Sequence, residues 1–501
     1  MTLHQLDTVL LIGAAVLLVA VASVRLSSRA GLPSLLIYLA IGMLLGDAGF
    51  GIRFGNPALT QVLGVGALVV ILAEGGLTTP WSVVRPVLPF AVVLSTAGVA
   101  VSVAVVAAAA HLLLGMSWQA ALLAGAIVSS TDAAAVFATL RRLPLRPRVA
   151  AVLEAESGLN DAPVVLLVTL LSVVPLHDVA PARLAALVAY ELVAGAVVGV
   201  AVGLGGAWVL RRSALPAAGL YPLAAVALTV LAYAVAGVAH ASGILAVYAA
   251  GLVLGNSRLP HRRAVLGFAE GLAWLAQIGL FVLLGLLVSP RELGPAVLPA
   301  LVIGAVLLFA GRPLSVLASA SWFGAGPRVQ LFLSWAGLRG AVPIVLATIP
   351  YAAGVPEGRR LFDIVFVLVV VFTLLQGATL PPVARLAGVV DPARASDLQV
   401  EVAPLEDIGA DLLAMTIPPG SRMHGVYVGE LRLPPEASVV FLLRQGRRSV
   451  PDSGTRLRVG DSLLVVAAAG CREETERRLH AIGRSGRLAR WFADGNRGNG
   501  G

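Results

Sequence analysis

About thirteen apolar stretches recur along the chain, each close to the ~20 residues that a helix needs to cross ~30 Å of hydrocarbon. They run over residues 8–24, 33–50, 58–79, 86–112, 118–140, 149–174, 183–210, 219–239, 242–257, 264–288, 295–320, 328–353 and 361–386. Of the 501 residues 58% are hydrophobic and the mean hydropathy is +0.91. A soluble protein of this size could not cover that much apolar surface. The expected fold is an all-α polytopic membrane domain.

Charge sets its limits and its orientation. Residues 1–388 hold 21 Arg and 13 acids, whereas residues 389–501 hold 15 Arg and 14 acids in far less length. The membrane domain is therefore expected over 1–388, followed by a linker at 389–400 and a polar domain at 401–483. Residues 484–501, rich in Gly, Arg and Asn, are expected to be disordered. With thirteen spans, one set of loops carries thirteen Arg (25, 29, 85, 141, 142, 146, 148, 211, 212, 258, 262, 263 and 328) and the other set five (53, 183, 291, 359 and 360). The Arg-rich set belongs in the cytoplasm. That places the N-terminus outside and the C-terminal domain in the cytoplasm, in the cell (inner) membrane. The first stretch lacks a basic segment ahead of it and a small-residue cleavage site, so it reads as a span and not as a cleaved signal. The net charge of +9 sits largely in short inter-span loops and does not indicate nucleic-acid binding. Every basic residue is Arg, so no Lys can titrate in the membrane, and the single Cys471 allows no intrachain disulfide.

Against this background, residues 129–161 stand out. The fifth stretch carries Ser129-Ser130-Thr131-Asp132, and the sixth carries Glu154, Glu156, Ser157, Asn160 and Asp161. Ionised groups at membrane depth are costly and usually face a cavity that handles ions or protons. Asp161 lies about twelve residues inside its stretch, ~18 Å along a helix and near the midplane. Ser157 precedes it by four and shares its face. A carboxylate and a hydroxyl are hard oxygen ligands for an alkali cation. Burial makes the charged form costly, so a proton and a cation compete for the one group. The alternative is a structural acid bonded to a neighbouring helix end.

The twelfth stretch carries Gly337-Leu338-Arg339-Gly340-Ala341-Val342-Pro343. Like the run at 129–132, it interrupts a hydrophobic segment near its middle, and it lies seven spans away, so the two run in opposite directions. Paired broken helices point to an inverted-repeat transporter with a midplane site. Thr131 can add a hydroxyl and an unwound carbonyl to the site. Asp132 reads as a structural acid at the positive end of a half-helix. Glu156 is the first candidate partner for Arg339, with Glu154 as the alternative. Glu74 can reach the site, line its entrance, or merely snorkel to the interface. Arg312, Glu191, Glu270 and Asp363 read as helix-packing or dimer-contact residues. His111, His240 and His261 make no metal spacing, and no phosphate loop, nucleophile motif or zinc motif occurs. No cofactor is expected, and an enzyme is disfavoured.

Four motifs, Leu72–Leu77 (LAEGGL), Ser130–Phe137 (STDAAAVF), Glu156–Asp161 (ESGLND) and Trp335–Pro343 (WAGLRGAVP), resemble those of the monovalent cation:proton antiporter-1 family. In the tail, Gly425–Leu433 (GVYVGELRL) and Arg458–Val465 (RVGDSLLV) resemble the C-terminal domain of TrkA-type regulators. The combination is similar to the bacterial potassium/proton branch. The resemblance implies an inverted-repeat fold with core and dimerisation domains, a homodimer, and elevator-like alternating access. It implies that Asp161 carries the ion and the proton, with Asn160 beside it, and that Ser157, the Thr131 backbone and Glu74 help hold the alkali cation. Glu156 and Arg339 would form a bracing ion pair. The Asn160-Asp161 pair implies electroneutral exchange of K⁺, or Na⁺, for H⁺. Ala73 stands where many relatives have a larger residue before the acid.

The tail pattern of short strands (Ser438–Leu443, Leu463–Ala467) and a helix (Arg472–Ile482) reads as a small α+β domain. It is either a regulatory or dimerising module, open to a small-molecule ligand, or a passive cap. Two rival functions remain: a sodium-selective exchanger, and a membrane ion sensor that signals through the tail without transport.

Overall fold

The structure is a computed structural model. It describes residues 3–30, 34–46, 49–51, 55–132, 136, 145–174, 181–390, 400–405, 410–444, 447–468 and 470–486. Most of the expected linker, the second half of the fifth stretch with Arg141 and Arg142, and the tail beyond residue 486 lie outside the described residues. The chain forms two compact units, one ending at Val389 and the other starting at Val390.

The first unit is helical. Its helices are α1 (Leu3–Ala30), α2 (Ser34–Leu45), α3 (Pro57–Thr78), α4 (Leu88–Leu114), α5 (Trp118–Ser129), α6 (Pro147–Val173) and α7 (Pro181–Arg212). There follow α8 (Leu220–Val238), α9 (Gly243–Gly255), α10 (Arg262–Leu287), α11 (Gly294–Phe323), α12 (Pro327–Trp335), α13 (Ala341–Ala352) and α14 (Gly358–Leu386). Among the described residues, eight helices are long and apolar enough to cross a membrane, and shorter apolar helices accompany them. Their ends follow local chemistry. Asn56 caps α3, its side chain accepting from the Leu59 amide at 3.0 Å ahead of Pro57. Ser117 caps α5 through the Ala120 amide at 3.2 Å. Gly115 ends α4 in the left-handed region (φ 64°), where a side chain would be strained.

Two helices contain a π turn, α4 at Leu94–Gly98 and α11 at Leu307–Gly311. Such turns often mark functional positions, because they shift the helix register by one residue. Here both flank Glu156. Ser95 in the first turn donates to the Glu156 carbonyl at 3.2 Å, and Arg312 follows directly on the second.

The second unit is a five-stranded antiparallel sheet: β1 (Val400–Leu405), β2 (Ala410–Thr416), β3 (Ala437–Arg444), β4 (Arg447–Ser449) and β5 (Ser462–Ala468), in the order β1-β2-β5-β3-β4. Helix α15 (Arg472–Ser485) follows the last strand and contributes Leu479 and Ile482 to a core with Leu413, Met415, Leu463 and Val465. The β5 turn is fixed by Asp461. Its carboxylate accepts from Arg444 Nε and Nη2, both at 2.8 Å, and from the Arg458 amide at 2.7 Å. Burial pushes this carboxyl up, but the Arg444 hydrogen bonds, the Arg458 amide and both positive charges outweigh it. The pKa ends below the ordinary value, and Arg444 is raised in turn by the same bonds.

Candidate functional site

Two interrupted segments build the site. Helix α5 stops at Ser129, and the chain continues extended through Ser130 (ψ 140°). Helix α12 stops at Trp335, and α13 begins only at Ala341. The two unwound pieces meet. The Asp132 amide donates to the Leu338 carbonyl at 2.9 Å, and Arg339 Nη1 donates to the Ser130 carbonyl at 2.7 Å. Each break thus satisfies backbone groups that the other leaves exposed, as buried irregular chain must. Thr373 and Gln376 of α14 complete the arrangement, donating to the carbonyls of Arg339 (2.9 Å) and Trp335 (3.0 Å).

The Asp132 carboxylate lies against Gly340, the residue that opens α13; a β-carbon on Gly340 would overlap it. A negative group therefore faces the positive end of a helix. A larger residue at position 340 would have to displace the Asp132 side chain.

Helix α6 lays its acids across this crossing. Asp161 is 2% exposed, and its Oδ1 accepts from Ser130 Oγ at 2.6 Å. Among the described residues, no Arg or His comes within ion-pair distance of it. Asn160 Nδ2 donates to Thr131 Oγ1 at 2.6 Å, and Ser157 Oγ donates to the Thr131 carbonyl at 3.0 Å. Asn160 Oδ1 is buried and has no hydrogen-bond partner among the described residues. Two residues after Asp161, Pro163 lacks an amide hydrogen and leaves the Leu159 carbonyl without its helical donor. Carboxylate, amide, hydroxyl and carbonyl oxygens therefore converge within one turn of α6.

The structure corrects the expected ion pair. Glu156 does not pair with Arg339. Its carboxylate takes two bonds from Arg312, Nη1–Oε1 at 2.6 Å and Nη2–Oε2 at 3.2 Å. Arg312 also donates to the Leu333 carbonyl at 3.1 Å. This Arg does more than the helix packing expected of it. It is buried and directly follows the π turn at Leu307–Gly311, a turn of which the sequence gives no sign. Arg339 is 2% exposed, with Nε and Nη2 unpartnered among the described residues. Its Nη1 bond joins the Ser130 carbonyl to the α12–α13 break. Glu154, the alternative partner, instead accepts from Thr79 Oγ1 at 2.8 Å. Glu74 stands within electrostatic reach of Glu270 and Glu154, outside the hydrogen-bonded group around Asp161. Ser130, and not its neighbour Thr131, is the residue that touches the Asp161 carboxylate. The one signal for it in the sequence is its place in an uninterrupted polar run.

Comparison with known proteins agrees with this fold. The family model for the transmembrane sodium/hydrogen exchanger matches residues 14–386, and that for the TrkA-C domain matches residues 412–480. The chain is 39% identical over 467 residues to the K(+)/H(+) antiporter NhaP of Alkalimonas amylolytica, covering 92% of this chain and 81% of that protein. It is 35% identical over 503 residues to the K(+)/H(+) antiporter NhaP2 of Shewanella oneidensis, covering 99% and 87%. It is 28% identical over 423 residues to the Na(+)/H(+) antiporter ApNhaP of Aphanothece halophytica, covering 79% and 78%. The solved structure of the sodium proton antiporter MjNhaP1 from Methanocaldococcus jannaschii at pH 8 superposes with a TM-score of 0.65 at 20% identity, covering 76% of this chain and 99% of that one. At that identity the likeness speaks for the fold alone. The chain belongs to the sodium/hydrogen exchanger family of monovalent cation/proton antiporters, as a multi-pass membrane transporter and not an enzyme, with a TrkA-C domain at its C-terminal side.

Proposed function

We propose that the protein exchanges K⁺ for H⁺ across the cell membrane, with Asp161 holding either the proton or the cation. The observation that carries this reading is the state of Asp161. It is buried, bonded by one neutral hydroxyl and countered by no ion pair among the described residues. An uncompensated buried carboxylate must acquire a positive occupant, either a proton or a cation. Asp161, Asn160 Oδ1, Ser157 Oγ and the Thr131 carbonyl are the oxygens an alkali ion would use, with Glu74 at its entrance. Asp132, Glu156 and Arg339 hold the frame in place, and Ser130 and Arg312 belong with them. Since Asn160 is neutral, one proton replaces one monovalent cation and no net charge moves.

Preference for K⁺ follows the relatives named K(+)/H(+) antiporters at 35–39% identity. A Na⁺ reading has the ApNhaP relative behind it, at lower identity. The remaining features of the proposal are thirteen spans in two inverted halves, a homodimer, alternating access, an external N-terminus and a cytoplasmic TrkA-C domain with a regulatory ligand. The matched breaks and the matched π turns of α4 and α11 support the inverted halves.

The test is ΔpH dissipation in proteoliposomes with K⁺ and Na⁺ compared, at zero and at imposed voltage. The expected result is K⁺-driven collapse of ΔpH, independent of voltage, and its loss in Asp161→Asn with the fold retained. Normal exchange by Asp161→Asn would remove the site. Absence of any cation-dependent flux in the unaltered protein would favour a sensor.

A further inference from the structure

Two adjoining open clefts lie along the helix face that carries Asp161. They measure about 550 and 600 Å³ and share Val165, Thr169, Tyr233 and Ile244 as walls. Val165 and Thr169 follow Asp161 at four and eight residues, so all three lie on one stripe of α6. Ala162 lines the end nearest Asp161, and Val173 and Val174 line the far end, at the C-terminus of α6. The clefts therefore point away from the Arg146 and Arg148 end of that helix. They stop short of the buried carboxylate.

The walls are mostly apolar, with Gln61, Thr169, Tyr233 and Ser242 as neutral polar groups. Glu191 of α7 is the only acidic side chain among the described residues that line them. It is held at a fixed place. The Glu191 carbonyl accepts from the Ser242 amide at 3.0 Å, and neighbouring Tyr190 donates its hydroxyl to the Ala239 carbonyl at 3.2 Å. Among the described residues no ion pair within 4.0 Å neutralises the Glu191 carboxylate, and His240 is its titratable neighbour. Packing of α7 on α9 would need an apolar or small residue here, as at Gly195 and Gly199 of the same helix, which abut Ser242 and Ala246.

We infer that Glu191 gathers alkali cations into this vestibule and sets the apparent affinity on that face of the membrane. A carboxylate at the rim of a low-dielectric cleft concentrates the field along it and raises the local cation concentration. The volume admits an ion with part of its hydration shell, which it sheds at the oxygens around Asp161. Glu191 takes no part in proton transfer, so it acts on KM and not on kcat. This inference rests on the proposed exchange at Asp161.

The experiment measures K⁺-dependent exchange in right-side-out and everted vesicles, for the unaltered protein, Glu191→Gln and Glu191→Asp. For Glu191→Gln the expected result is a KM for K⁺ raised about threefold on one side only, at low ionic strength. The expected side is the external one, and kcat is unchanged. The difference shrinks as choline chloride is raised past about 0.3 M, since the Debye length is already ~10 Å at 0.1 M. Glu191→Asp restores most of the affinity. An unchanged KM on both sides would overturn the inference, as would a fall in kcat alone or an effect insensitive to salt. Asp161→Asn, run in parallel, separates the two claims: its loss of exchange with an unaffected Glu191→Gln rejects Glu191 and leaves the site standing.

Discussion

Replacing Arg312 by Met would strand Glu156. One guanidinium holds that carboxylate through two bonds, and the two side chains are 5% and 2% exposed. Removing one partner from such a pair leaves an uncompensated buried charge, at a cost of about 3–5 kcal/mol. The Leu333 carbonyl loses its 3.1 Å donor as well, about 1 kcal/mol more. Glu156→Gln in the same background removes the stranded charge, so the double variant should recover most of the loss. The double-mutant cycle should then show a coupling of about 3 kcal/mol, roughly 150-fold in the unfolding equilibrium. The assay is reversible unfolding in SDS, followed by tryptophan fluorescence, on all four proteins. The same cycle with Arg339→Met should give a smaller coupling, about 1 kcal/mol, because Arg339 donates to the Ser130 carbonyl and reaches Glu156 only through space. Coupling of Glu156 to Arg339 as strong as to Arg312 would refute the pairing.

Four further outcomes follow from named contacts. Gly340→Ala puts a methyl group into the Asp132 carboxylate and should abolish exchange while lowering stability by about 1–3 kcal/mol, read by flux and SDS unfolding. Ser130→Ala removes the 2.6 Å donor to Asp161 but keeps the carbonyl that Arg339 needs, so folding should be near normal while the pH profile of exchange moves; an unmoved profile would deny the contact a role. In the TrkA-C domain, the folded pKa of Asp461 lies below its ordinary 3.8, so its contribution is full above that pH and is lost as pH falls through the folded value. Hydrogen-exchange protection of β2 and β5 should fall accordingly on acidification. Arg444→Met should cost about 1–3 kcal/mol at neutral pH and progressively less in acid, where the carboxyl is neutral with or without Arg444.

Helix positions are legible in the sequence because the bilayer demands long apolar runs. The apolar stretch at 149–174 is α6 at Pro147–Val173, and that at 361–386 lies within α14 at Gly358–Leu386. The breaks are legible because a polar run at membrane depth is tolerated only where cavity or partner groups meet the freed backbone. In the tail, the strands expected at Ser438–Leu443 and Leu463–Ala467 lie within β3 and β5. The β-bulge between Val439 and Phe441 and the edge strand β1 leave no such trace. A bulge offsets the inside/outside alternation by one residue, so the pattern of β3 does not read as one regular strand, and β1 is an edge strand that pairs only with β2 among the described strands.

Sequence does not decide which Arg meets which acid. Arg312 and Arg339 are each a lone cation in an apolar span, and each needs compensation at depth. Counting charges finds two cations and several acids, but the choice among them depends on helix rotation. One π turn rotates Arg312 toward Glu156, and a second brings Ser95 against the same turn of α6. Arg339, displaced from that acid, satisfies itself on the backbone of the opposite break. That displacement has a consequence for transport. A guanidinium bonded to the Ser130 carbonyl is mechanically joined to the residue whose hydroxyl holds Asp161, so the α12–α13 segment cannot shift without disturbing the carboxylate's only hydrogen bond among the described residues. In the proposed mechanism, occupancy of Asp161 and movement of the crossing would be coupled through this one serine, as an antiporter requires if neither ion is to cross alone.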